Sequence, residues 1–310
     1  MDVDMTVEVG PLTLRSPVVT ASGTFGSGRE YADFVDLTRL GAVVTKGVSW
    51  DAWPGNPGPR IAETASGMLN SIGLQNPGVE AFIESDLAWL ATQDVPVIVN
   101  VAGHTVAEYV AVAERLSAES SVAALELNIS CPNVDEGGLA FGTTCKAAAE
   151  VTRAVRAATG LPLIVKLSPN VTDVSEIARA MEAEGADAVS LINTLLGMSI
   201  DTVTWRPRLA RTVGGLSGPA IKPVALRMVW QVASRVGIPV IGMGGIMSAE
   251  DAVEFMLAGA CAVAVGTANF VDPAATMKIT DGLESYCRQR DIPRVADLTG
   301  AIVAQRTGER

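Results

Sequence analysis

The same short phrase returns along the chain. An apolar run opened by proline is read at DVPVIVN (Asp94 to Asn100), GLPLIVK (Gly160 to Lys166) and GIPVIGM (Gly237 to Met243). Proline stands at the entrance of each strand, where its missing N–H does least harm. A second form, led by glycine, is read at GAVVTK from Gly41, GADAVSLIN from Gly185 and GACAVAVG from Gly259; glycine there suits the end of a preceding helix. PVVTASG from Pro17 and AALELNIS from Ala123 bring the strand candidates to eight. Between most of them lie segments of helical period, such as Thr105 to Glu119, Asp173 to Gly185 and Ser248 to Ala260. In the last, Ser248 followed by Asp251 three positions on is a capping signal.

Short buried strands alternating with helices predict a parallel sheet. Eight such units in 310 residues predict a closed (β/α)8 barrel, the TIM barrel, with residues 1–310 as a single domain. MTVEVGPLTLRSP, from Met5, predicts a short N-terminal hairpin closing the barrel floor. Hydrophobic residues make up 48% and charged residues 18%, enough for a large core. A net charge of −11 argues against a nucleic-acid or anionic-membrane partner held by a basic field. The acidic start lacks the features of a secretory signal, so a cytoplasmic location is expected. The most apolar tract, Phe255 to Ala268, is shorter than the roughly 18 residues of a membrane span and reads as helix end, turn and buried strand. The four cysteines contain no C-x-x-C pair and have only His104 to join them, so no metal site is expected.

Barrel chemistry is built at the carboxyl ends of the strands. In chain order these ends are Ser22, Lys46, Asn100, Asn128, Lys166, Asn193 with Thr194, Gly244 with Gly245, and Gly266 with Thr267. Two lysines and several amides, with no carboxylate or histidine, suit an anionic ligand rich in hydrogen-bonding groups. The glycines of the last two ends lie where such barrels hold a phosphate, which predicts a phosphorylated cofactor or substrate. GMGG is not a nicotinamide fingerprint, because G-x-G-x-x-G would require glycine at Met247.

Cys131 follows the fourth strand and precedes Pro132 and a glycine-bearing segment long enough for an active-site lid loop. Cys145, Cys261 and Cys287 read as helix or core residues. A cysteine placed like Cys131 can be a nucleophile, a metal ligand or a general base. The first two want companions that the sequence does not offer, which leaves a base acting alone, its thiolate assisted by nearby lysines.

ASG from Ala21, TKG from Thr45, MLNSIGLQNPG from Met68, NISCPN from Asn128, IVKLSPN from Ile164, INTLLGM from Ile192, GGLSGPAIKP from Gly214, GMGGI from Gly242 and GTANF from Gly266 together resemble dihydroorotate dehydrogenase over nearly the whole chain. The cysteine in NISCPN resembles the soluble class 1 enzymes, and LNSIGLQNPG, NTLLGM and GGLSGPAIKP resemble class 1B, the NAD-linked catalytic subunit. The resemblance implies oxidation of dihydroorotate to orotate in pyrimidine (UMP) biosynthesis. Cys131 would remove the C5 proton, while C6 gives a hydride to one FMN per chain. It implies an FMN phosphate on Gly244, Gly245, Gly266 and Thr267, with Ser22, Lys46, Gly47, Asn100, Asn128, Ile192 and Gly218 lining the rest and Lys166 facing the N1 and O2 edge. Substrate would be held by Lys46, by Asn70, Ser71, Ile72, Gly73 and Leu74, and by Asn128, Asn133, Asn193 and Thr194.

With no nicotinamide or iron–sulfur motif in this chain, the resemblance implies a partner subunit carrying FAD and a 2Fe-2S cluster, joined to a homodimer core in a heterotetramer. A dihydropyrimidine dehydrogenase subunit and the fumarate-using class 1A enzyme share much of this pattern. A phosphate-binding lyase or isomerase barrel without flavin is the non-redox alternative. Trp50 and Trp53, in VSWDAWPGNPGPR, and FGTTCK from Phe141 depart from the family pattern. For the tryptophans, core packing is commoner than a partner contact.

Overall fold

The computed structural model describes residues 2–129 and 141–302. Strands β1 (Val7–Val9) and β2 (Leu12–Leu14) pair antiparallel, Val7 opposite Leu14, and form the expected hairpin. Gly10 at its turn lies against Asp187, just before a barrel strand begins, which places the hairpin at the floor. The chain continues through β3 (Val18–Thr20), β4 (Val43–Val44), β5 (Ile61–Thr64), β6 (Gly67–Asn70), β7 (Val97–Val101), β8 (Val122–Asn128), β9 (Leu163–Lys166) and β10 (Ala188–Leu191). Strands β11 (Leu195–Gly197), β12 (Ile200–Asp201), β13 (Arg206–Pro207), β14 (Gly214–Ser217), β15 (Val240–Met243) and β16 (Ala262–Val265) follow.

The eight expected strands are β3, β4, β7, β8, β9, β10, β15 and β16, and they form one parallel sheet in the order β3-β16-β15-β10-β9-β8-β7-β4. A parallel bridge between Val19 and Ala42, with Gly41 N–H donating to Val18 O at 2.8 Å, joins its two ends into a barrel. Their burial is continuous, every residue of β9, β10, β15 and β16 being buried, because helices cover the outside and side chains fill the inside. The helices dock by the period read in the sequence: Val106–Ser117 buries Tyr109, Val112, Ala113 and Leu116, and Val174–Ala183 buries Val174, Ile177, Ala178 and Met181. Each fully buried aliphatic side chain contributes about 1.5–3 kcal/mol.

Side chains cap the helix starts, at Ser248 as the sequence predicts and at Thr105 besides. Ser248 Oγ accepts from Asp251 N at 3.3 Å and Asp251 Oδ2 accepts from Ser248 N at 3.1 Å, a capping box. Thr105 accepts from Glu108 N at 3.2 Å. The tract Phe255 to Ala268 is helix end, turn and strand β16, and among the described residues no helix is long and apolar enough to cross a membrane.

One element is absent from the sequence reading. Strands β11, β14, β6 and β5 form an antiparallel sheet, in the order β11-β14-β6-β5, beside the barrel's carboxyl end. Strands of three or four residues, three of them glycine-bearing, carry too little alternation or apolar length to be read locally: β6, β11 and β14 fall within the motifs above, and β5 in none of them. The hairpin β12–β13 extends from it, with Val203 and Trp205 88% and 86% exposed at the tip. Trp50 is exposed, while Trp53 is half-buried and stacks on His104 with ring centroids 4.0 Å apart, so neither tryptophan is a core residue.

Candidate active site

Parallel register aligns the inward-facing side chains of neighbouring strands. Asn100 on β7 stands opposite Glu126 on β8, Asn128 opposite Lys166 on β9, and Lys166 opposite Ser190 on β10. At the carboxyl end these positions open into a cavity of about 540 Å³. Ser22, Lys46, Gly47, Asn100, Asn128 and Lys166 line it from the first five strands. Ile192, Asn193, Thr194, Gly244, Gly245, Gly266 and Thr267 line it from the last three, and Gly218 from the loop after β14. Every strand-end residue read from the sequence therefore faces one space.

The accessory sheet supplies the remaining wall. Asn70, Ile72, Gly73 and Leu74 reach the cavity from β6 and the loop behind it, and Ile61, Met68, Leu196 and Val213 add an apolar side that sequence reading missed. Ser71 is placed differently: it is buried behind that wall, with its Oγ accepting from Asn56 Nδ2 at 3.0 Å. Cys131 and Asn133, with Pro132 and the Gly137–Gly138 pair of the expected lid loop, lie outside the described residues.

Two ammonium groups dominate the electrostatics. Lys166 is 5% exposed and donates to Ser22 Oγ at 3.1 Å, which joins β9 to the end of β3 across the barrel. Lys46 is held below the ordinary lysine value, first by burial and then by the like charges of Lys166 and Arg60. Two cations this close and this poorly hydrated favour an anionic ligand between them. Asn193 Oδ1 accepts from Thr194 N at 2.7 Å, and Asn70 Nδ2 donates to Gly215 O at 3.2 Å, which ties β6 to β14.

Glycine is required at two points. A Cβ on Gly215 would stand 2.1 Å from Thr194 Oγ1, so only glycine lets Thr194 reach the cavity. Gly245 has φ +79°, and a Cβ there would meet Lys222 at 2.8 Å and Gly218 O at 2.9 Å. The backbone therefore comes close to the cavity's glycine-lined end, as phosphate cradles require. A cavity of this size, with a bare backbone at one end, amides along the wall and a buried cation beside them, fits a flat heteroaromatic cofactor carrying a phosphate.

Glu126 was also missed. It is the acid in AALELN, two residues before the strand end, 2% exposed inside the barrel beneath the cavity. Its signal was a charged residue at an inward position of an otherwise apolar strand.

The family model described as "Dihydroorotate dehydrogenase" matches residues 4–287. Three curated relatives carry the name "Dihydroorotate dehydrogenase B (NAD(+)), catalytic subunit". The relative from Alkaliphilus oremlandii is 60% identical over 96% of this chain and 99% of its own length. The relative from Geotalea uraniireducens is 59% identical over 97% and 98%, and that from Bacteroides thetaiotaomicron 55% over 96% and 99%. Among solved structures, the Eimeria tenella DHODH in complex with ferulenol superposes with a TM-score of 0.81 at 22% identity, over 96% of this chain and 88% of that one, and shares the fold.

Proposed function

The chain belongs to the dihydroorotate dehydrogenase family, and from that premise we propose that it is the catalytic subunit of an NAD-linked enzyme that oxidises dihydroorotate to orotate in pyrimidine synthesis. The observation that carries this reading is the convergence of Lys46, Lys166, Asn100, Asn128, Asn193 and Thr194 on one cavity in a chain matched to that family almost end to end. The relatives named above carry the NAD-linked designation, which favours this reading over the fumarate-using and dihydropyrimidine alternatives.

Family membership implies a flavin, and FMN is the form that the phosphate cradle favours. Bound FMN supplies the hydride acceptor. Gly244, Gly245, Gly266 and Thr267 would hold its phosphate, and Ser22, Gly47, Asn100, Asn128, Ile192 and Gly218 its ring and ribityl chain. Lys166, held by its bond to Ser22, would set a buried positive charge toward the flavin's pyrimidine edge and favour its reduced form. Lys46 answers the substrate carboxylate, while Asn70, Asn128, Asn133, Asn193 and Thr194 offer donors and acceptors to its ring, with Ile72, Gly73 and Leu74 shaping the wall and Ser71 buttressing it. Cys131 takes the C5 proton as general base.

The subunit name of the relatives points to a second protein that carries electrons onward. A subunit with FAD and a 2Fe-2S cluster, assembled on a dimer of this chain as a heterotetramer in the cytoplasm, completes the proposal. Release of the flavin from purified holoenzyme by acid and its chromatographic identification test the cofactor. FMN at one per chain is the expected result, and FAD or no flavin would overturn it.

A further inference from the structure

Glu126 is a buried carboxylate that the site described above does not use. Its Oε2 accepts from Asn100 Nδ2 at 2.6 Å and its Oε1 from Ser190 Oγ at 2.8 Å. Asn100 is on the adjacent strand, but Ser190 is two strands away, so the carboxylate reaches past β9 and links β7 to β10. Asn100 Oδ1 in turn accepts from Asn128 Nδ2 at 3.4 Å, and it lies close under the backbone of the cavity wall, 3.1 Å from where a Cβ on Gly47 would stand.

Both Glu126 oxygens act as acceptors here, one from Asn100 and one from Ser190. An asparagine amide facing it must therefore turn its nitrogen toward it and its oxygen away. With Asn100 oriented, Asn128 presents its nitrogen to Asn100 Oδ1. The donor–acceptor pattern of two amides that line the cavity is thus dictated by a group that does not itself line it. We propose that Glu126 is a positioning residue that sets the orientation of Asn100, and through it Asn128, toward the bound flavin. This rests on the flavin reading above.

The test is FMN affinity of apoprotein, read from the quenching of FMN fluorescence, with the visible spectrum of the bound flavin as a second signature. Glu126→Gln keeps an oxygen for Asn100 and can give its amide N–H to Ser190, so binding within about 3-fold of wild type is expected. Glu126→Met fills similar space without an acceptor, so binding about 10- to 100-fold weaker and an altered spectrum are expected, the range set by an unmet buried donor. Should the methionine variant fail to fold, an exchange decides the matter. Asn100→Asp alone sets two carboxylates face to face and should lose FMN, whereas Asn100→Asp combined with Glu126→Gln restores a hydrogen bond of reversed polarity with an oxygen still toward Asn128, and should recover much of the affinity. A methionine variant that binds FMN with wild-type affinity and spectrum, or an exchange with no recovery, overturns the proposal alone. A wild-type chain that takes up no FMN overturns the flavin reading and this proposal with it.

Discussion

Thr267 Oγ1 donates to Ser217 Oγ at 2.8 Å, tying the loop after the last barrel strand to the end of β14 in the accessory sheet. The two residues come from parts of the fold that share no backbone pairing, and both line the cavity. Thr267→Val keeps the shape and removes the donor. A neutral hydrogen bond contributes about 0.5–1.5 kcal/mol net, so the variant should bind FMN about 2- to 10-fold more weakly, as measured by fluorescence titration, with its helical signal unchanged.

Gly245→Ala is a sharper perturbation. Left-handed backbone costs a residue with a Cβ about 1–2 kcal/mol, and here the added carbon also meets Lys222 and Gly218. The alanine variant should purify with less flavin per chain than wild type and melt at a lower temperature. Full flavin content in that variant would show that the loop does not approach the phosphate.

Lys46 predicts two pH effects of opposite sign. Binding an anion needs the ammonium form, and the folded-state value is depressed below the ordinary 10.5, so orotate affinity should fall as pH rises through that lowered value. For the apoprotein, the unfolded chain holds the proton to higher pH than the folded one. Stability contributed by this group therefore rises with pH between the two values, and the penalty is fully present below the folded one. Orotate binding followed by flavin spectral change from neutral pH upward should show the alkaline limb in wild type and lose it in Lys46→Gln.

Cys131→Ala should keep FMN and lose about 10²- to 10⁴-fold in the rate of flavin reduction by dihydroorotate, the usual range for a general base. Stopped-flow absorbance measures this directly. An unchanged rate would remove the thiol from the chemistry.

The barrel was legible because its signals are local. Eight apolar runs, seven of them with proline or glycine at their starts, and helices with caps such as Ser248–Asp251, state the alternation outright. Since barrel chemistry gathers at strand ends, Lys46, Asn100, Asn128, Lys166 and Thr267 could be named from their place in those runs. The accessory sheet was not legible: the pairing of β6 with β14 joins segments more than a hundred residues apart through glycines whose role is close approach. Glu126 escaped for a related reason. Its meaning depends on Ser190, two strands away, and no pattern within AALELN announces that partner.

On the proposed function, this chain by itself oxidises dihydroorotate with its own flavin as acceptor. Purified holoenzyme, kept anaerobic without any partner subunit, is mixed with dihydroorotate while the visible band of the oxidised flavin is followed and orotate is assayed. The band should bleach with one orotate formed per flavin. A flavin that stays oxidised, with no orotate formed, would contradict it.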